Sequence, residues 1–350
     1  MIRQDPNRIQ QLAKLLSKTS LDFFKEIDRR EPEYQTFLRL AKDYSKERPL
    51  RFDSSLALVG IGTGLIDFQQ RDPGKTLWQP MERLAEEKQF PVDVEGIKDV
   101  VIQLAQSSRF ARTKVSRAER FFASRFPSWF LNEDIRILRS DPYNVWTRLS
   151  DNMDDSMSKK TIVMAMKAFD METLAVTDEY LPFPSHIPMM IDSRVTYVSL
   201  SSGIVMADPK SSIDEIASRY RDELVEAWSE VVKRVQKTLG SRFNALRLDS
   251  LLWQAGEFKT QRRITRFLRS FDLSEQLSSR ISSNLLFKDI HSSPISRTHP
   301  PREDRLEADK MKAFATFVAE LKEKGIRGKE YRDSIKEWQE AWKRSHTGET

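Results

Sequence analysis

Apolar residues recur along this chain every three to four positions, and that spacing predicts helices almost throughout. Residues 7–47 read as two helices broken at Arg30-Glu31-Pro32, with Leu12, Leu15, Leu16, Phe23, Phe24 and Ile27 as the apolar stripe. Residues 54–70 are apolar on every side, which predicts a buried helix despite Gly60, Gly62 and Gly64. Asp72-Pro73-Gly74 is a turn, and a helix follows at about 78–88. Asp141-Pro142 reads as an N-cap followed by proline at the first helical position, opening a helix to about Ser150. A polar link, 151–158, then leads into the helix that carries Lys160. Helix, tight link and helix together outline a helix-hairpin-helix unit. Pro182, Pro184 and Pro188 stiffen the next loop, which feeds an apolar helix over 195–206. Ser212-Ile213-Asp214-Glu215 is a capping box for a long helix to about Leu239, and a further helix carries Asp249 and Trp253. No Val/Ile/Thr-rich alternating run appears, so strands should be few. The expected class is all-α.

The texture divides the chain into an N-terminal helical extension (1–50), a helical core (51–289), a linker (290–302) and a C-terminal accessory segment (303–350). The linker stretch is rich in Ser and Pro. Phe314, Phe317, Leu321, Trp338 and Trp342 give the accessory segment an apolar face that could dock on the core or meet a protein partner.

Composition narrows the chemistry. With no cysteine among 350 residues, disulfides, thiolate zinc sites and cysteine-ligated iron–sulfur clusters are excluded. The four histidines, His186, His291, His299 and His346, lack metal-ligand spacing, and no cofactor or metal is expected. No run of 18 apolar residues exists and Met1 to Asn7 is polar, so neither a membrane span nor a signal peptide is expected. A cytoplasmic, nucleoid-associated monomer is the expectation.

The net charge of +6 and clustered arginines favour a phosphate-rich partner. Residues 109–125 carry Arg109, Arg112, Lys114, Arg117, Arg120 and Arg125 between phenylalanines. This segment reads either as a DNA-facing helix or as an amphipathic helix with a solvated basic face. Lys259, Arg262, Arg263, Arg266 and Arg269 form a second basic stretch. Lys159, Arg112, Arg117, Arg262 and Arg263 are the candidate contacts to a DNA backbone.

The candidate chemistry lies in Lys160 and Asp192, 32 residues apart, each at the mouth of a helix. A neutral lysine amine can attack the C1′ carbon of a nucleotide and form an imine. A nearby carboxylate can take the ammonium proton or stabilise the oxocarbenium-like transition state. Burial, a helix N-terminus and a second cation such as Lys159 all favour the neutral amine. The bland alternative is a solvated surface lysine and an N-cap aspartate.

The run Lys159-Lys160-Thr161-Ile162-Val163-Met164-Ala165-Met166-Lys167, followed by Ile187-Pro188-Met189-Met190-Ile191-Asp192-Ser193-Arg194-Val195, resembles the archaeal 8-oxoguanine DNA glycosylase (AGOG) family. That family is a divergent branch of the helix-hairpin-helix DNA glycosylases. Its motif is a Lys-Thr-Ile-Val run, then an Ile-Pro loop leading to Asp with Arg-Val close behind. The resemblance covers about 50–275 and implies a two-lobed helical fold with added terminal helices here. It implies Lys160 as Schiff-base nucleophile and Asp192 as its partner, in a bifunctional glycosylase/lyase acting on double-stranded DNA with a flipped base. Leu248-Asp249-Ser250-Leu251-Leu252-Trp253 is similar to the family's pocket helix, whose Asp and Trp share one face and contact the base. Asp67-Phe68-Gln69 with Trp78 resembles an earlier pocket segment, adding Gln69 and Trp78 as candidates. Two departures stand out. Met164 replaces an aromatic residue, softening one side of the pocket. The link 151–157 has no glycine and several aspartates, which repel phosphate unless a cation bridges them. Two alternatives stay open: a glycosylase for another modified base, and a DNA-binding protein without activity.

Overall fold

The computed structural model describes residues 2–43, 51–68, 74–87, 90–208, 211–258 and 260–287, with Ser334. The chain divides into two units, Met1–Ser296 and Arg297–Thr350. The expected linker and C-terminal helices lie outside the described residues.

Helices dominate the first unit. At its centre lies α11, Lys160–Thr177, which buries 13 of its 18 residues. It packs against α4, Phe52–Ile66, and α3, Pro32–Asp43. The glycines of α4 explain how close the approach is: a Cβ on Gly64 would stand 2.7 Å from the Ala165 Cα. A side chain there would push the two helices apart.

The predicted helix-hairpin-helix outline is present. Asp141 caps α10, Pro142–Asn152, by accepting the Asn144 N–H. The link to α11 is fastened by the Trp146 indole, which donates to the Met157 carbonyl at 2.9 Å. Asp154 turns the chain through φ 47°.

Several boundaries differ from the sequence reading. The first 43 residues form three helices: α1, Pro6–Leu16, α2, Leu21–Asp28, and α3. The break between α1 and α2 comes from Ser20, whose hydroxyl caps α2 by accepting the Phe23 N–H. The apolar stripe runs across that break and hides it. Helix α4 begins at Phe52 and ends at Ile66. The helix expected at 78–88 is a π-helical turn, Gly74–Trp78, continued by α5, Gln79–Glu87. Ser212 does cap a helix, but that helix is α13, Ile213–Arg219, and Tyr220 separates it from α14, Arg221–Leu239. The helix expected at 195–206 is α12, Ser193–Ser201; Val205–Met206 instead pairs antiparallel with Arg3–Gln4. That pairing and the packing of α1 on α14 place the N-terminal helices in the same unit as the rest.

Candidate active site

Three helix ends converge on a cavity of about 320 Å³. One is the N-terminus of α11, which Lys160 opens; Lys159 before it makes no side-chain cap. The second is the N-terminus of α12. There Asp192 caps the helix, its Oδ1 accepting the Val195 N–H at 2.9 Å. Its other oxygen, Oδ2, stands 3.7 Å from the Lys160 Nζ. Asp192 therefore serves as both cap and ion-pair partner, because a capping carboxylate uses one oxygen and leaves the other. The third is the N-terminus of α3, where Glu31, Pro32 and Glu33 form part of the wall.

One further helix, together with the body of α11, completes the cavity. Lys167, two turns beyond Lys160 on the same face of α11, donates to Asp249 Oδ2 at 2.9 Å from α15, Ala245–Ala255. Trp253, one turn after Asp249, is half-buried in the wall, and the Arg194 guanidinium covers its ring at 4.1 Å. Arg194 is held in turn by Glu257 at 3.0 Å. Met164 and Phe68 are half-buried at the remaining sides.

The cavity concentrates carboxyl groups. Burial pushes Glu33 up to about 8, helped by the Glu31 charge and opposed by Lys167. Burial likewise raises Glu31 to about 6, against the pull of Lys167 and of Gln254, which donates to it at 2.9 Å. Asp67 is raised to about 6 by burial, against Lys114, the Trp78 indole, Lys160 and Lys167. Burial works against the Lys167 charge too, yet Asp249, Glu31 and Glu33 outweigh it and raise its pKa. Glu33 Oε2 and Asp67 Oδ2 are both buried without a hydrogen-bond partner. Polar atoms left so are costly unless a ligand meets them.

The sequence candidates fare unequally. Lys160, Met164, Asp192, Asp249 and Trp253 share the cavity. Gln69 lies outside the described residues. Trp78 does not line the cavity; it is 1% exposed and packs edge-on against Phe37 at 5.5 Å. Lys159 is not part of this cavity and pairs with Asp155 at 2.7 Å. Arg117 reaches the same Asp155 at 2.8 Å and also donates to the Thr161 hydroxyl. With Arg120 at 3.4 Å, three cations surround this one carboxylate of the link. One of the three aspartates of the link is thus bridged, with two of its three cations coming from α7, Ala111–Ala123; Asp151 and Asp154 are exposed. Arg112 is exposed on α7, and Arg262 and Arg263 are exposed on α16, Gln261–Arg269.

Glu31, Glu33, Asp67, Lys167 and Arg194 are among the wall residues that escaped the sequence reading. Glu31 registered only as part of a helix break and Glu33 not at all, while Asp67 stood in a quoted segment without a role. Lys167 stood in the quoted motif, and its spacing of seven from Lys160 was the available signal. Arg194 stood in the second motif, but nothing local pairs it with Trp253.

Comparison with known proteins places the chain in a family. The family profile described as "AGOG: N-glycosylase/DNA lyase" matches residues 13–284, a wider span than the motifs suggested. An N-glycosylase/DNA lyase of Methanopyrus kandleri is 24% identical over 169 residues, 47% of this chain and 67% of that protein. One of Methanococcus maripaludis is 21% identical over 210 residues, 57% of this chain and 71% of that protein. Among solved structures, the 8-oxoguanosine-complexed 8-oxoguanine DNA glycosylase Pa-AGOG of Pyrobaculum aerophilum superposes with a TM-score of 0.57 at 15% identity. The superposition covers 79% of this chain and 97% of that one.

Proposed function

The chain belongs to the AGOG family of N-glycosylase/DNA lyases, and on that premise we propose that it excises an oxidised purine, 8-oxoguanine first, through an imine formed on Lys160. The observation that carries the reading is the meeting of Lys160 Nζ and Asp192 Oδ2 at 3.7 Å on the cavity wall. In the proposed reaction the neutral amine attacks C1′ and the bond from C1′ to the base nitrogen breaks. The departing base takes the electron pair and then a proton. Ring opening leaves an imine between Lys160 and C1′. Loss of a C2′ proton then expels the 3′ phosphate and cuts the strand. Asp192 accepts the ammonium proton before attack and faces the positive charge that develops on the sugar.

The cavity volume suits an everted base, since ligand pockets begin at about 300 Å³. Trp253 offers a ring face for stacking. The carboxyls of Glu33, Asp67 and Asp249 meet the N–H groups that line the edges of a guanine-type base. The proposed substrate follows from this lining together with the ligand named for the Pyrobaculum aerophilum protein.

Sodium borohydride added to the protein and an 8-oxoguanine duplex should yield a covalent adduct that disappears in Lys160→Gln. An adduct of undiminished yield in that variant removes Lys160 from the mechanism. Met164, at the position where the family carries an aromatic residue, motivates a second reading with another modified base as target. A panel of lesion duplexes decides between them: preference for 8-oxoguanine rejects the second.

A further inference from the structure

Away from the catalytic cavity, α16 and α17, Glu275–Leu285, enclose a groove of about 690 Å³. Arg262, Arg266 and Arg269 recur at i, i+4 and i+7 and form one wall; Ser279 belongs to the other. Arg263 is not part of either wall. Helix α16 contains four arginines and no acidic residue. Like charges three and four apart on a helix repel, so this arrangement costs the isolated protein stability. Among the described residues the groove's one acid is Glu275, 3.5 Å from Arg269. Two wall arginines thus remain in excess over the acid.

The groove is tied to the catalytic cavity. Arg30, next to the cavity residue Glu31, donates to both the hydroxyl and the carbonyl of Ser270, each at 2.8 Å. Its guanidinium lies 3.7 Å over the Phe271 ring. Ser270 follows Arg269, so the Arg269 end of the groove is anchored to the residue beside the cavity wall.

We propose that the α16–α17 groove holds the sugar-phosphate backbone of DNA flanking the everted nucleotide, and so is a second DNA-binding element of this enzyme. Arginine forks match phosphate oxygens in pairs, and a serine hydroxyl adds a donor. A nine-residue helix is about 13 Å long. Successive phosphates along a strand lie roughly twice as far apart as their rise of about 3.4 Å along the axis, so the arginine row reaches two or three of them. The proposal rests on the base-excision reading for which DNA is bound, but not on which base is removed.

The test measures affinity for long duplexes, damaged and undamaged, as a function of salt, alongside urea unfolding of each variant. In Arg262→Ala/Arg266→Ala the duplex affinity should fall at least tenfold at moderate salt. The slope of log affinity against log salt should shrink by about two, one for each phosphate that an arginine no longer neutralises. The variant should be at least as stable as the parent in urea unfolding, because repulsion between the arginines is relieved. Arg266→Glu, a surface change that also alters the net charge by two, should weaken duplex binding to a similar degree. Unchanged affinity and slope in the variants would overturn the proposal, as would a loss of affinity that a matching loss of stability accounts for. Binding of polyglutamate as tight as that of DNA, abolished by the same variants, would assign the groove to an acidic protein partner and overturn it too. The arginine-dependent slope on undamaged duplex is independent of excision. A wild-type protein with that slope and no borohydride adduct would sink the excision reading while leaving the groove assigned.

Discussion

At the residue scale, Asp192 shows how one side chain meets two requirements. One carboxylate oxygen caps α12 and the other faces Lys160. The two roles separate by substitution. Asp192→Asn keeps an oxygen for the cap and loses the charge. It should fold and bind DNA as the parent does, while excision slows on the order of a hundredfold or more. Asp192→Ala loses both and should also lower stability by about 1 kcal/mol, the usual worth of an N-cap. Single-turnover excision and urea unfolding of the two variants check this; an Asn variant with parental excision rates takes the charge out of the mechanism. The capping role was legible, because Asp-Ser before an apolar run is a local signal. The carboxyls of Glu31 and Glu33 were not, since burial at a helix N-terminus depends on what that terminus faces.

At the element scale, the packing of α4 on α11 sets the position of Lys160. Gly64 permits it, with the Ala165 backbone where a Cβ would be. Gly64→Ala should therefore cost about 1–3 kcal/mol and reduce excision as α11 shifts. Calorimetry would show it; an unchanged Tm would mean the helices have slack. The link between α10 and α11 depends on Asp155, 7% exposed and shared by Arg117, Arg120 and Lys159. Removing it in Asp155→Ala strands the largely buried Arg117 and should cost about 3 kcal/mol. Denaturant unfolding is the check, and a loss within experimental error would show that water replaces the carboxylate. Element existence was largely readable from periodicity. The breaks at Ser17–Ser20 and Tyr220 were not, because the apolar stripe continues across each.

At the scale of the whole molecule, buried carboxyls should govern stability against pH. Burial, the largest cause in each case, raises Glu31 and Asp67 to about 6, Glu172 to about 7 and Glu33 to about 8. The folded chain holds these protons at pH values where the unfolded chain, with ordinary carboxyls, has released them. Folded protein thus binds more protons, and stability must fall as pH rises. The contribution is full below the unfolded carboxyl range and is lost as pH passes through the folded values up to about 8. Lys114 acts in the opposite sense: burial lowers it from 10.5 to about 8, so stability recovers above that. A stability minimum near pH 8 is expected in urea unfolding across pH 5 to 10, and Glu33→Gln should flatten its acid side. A profile that rises from pH 5 to 8 would contradict the burial of these groups.

The sequence alone determined the helical class, several helix starts such as Pro142 and Ile213, and the pairing of Lys160 with Asp192 through motif context. Each of these is carried by neighbours within a few turns: periodicity, caps and a short run of residues. Only the tertiary structure decided the rest of the cavity. It brought Glu33, Lys167 and Asp249 from α3, α11 and α15 to one wall, kept Trp78 in the core, and turned Lys159 toward Asp155. The physical reason is that a side chain's burial and partners depend on which helix faces pack together. Lys167 and Asp249 are 82 positions apart in the chain, and no local spacing encodes their 2.9 Å contact.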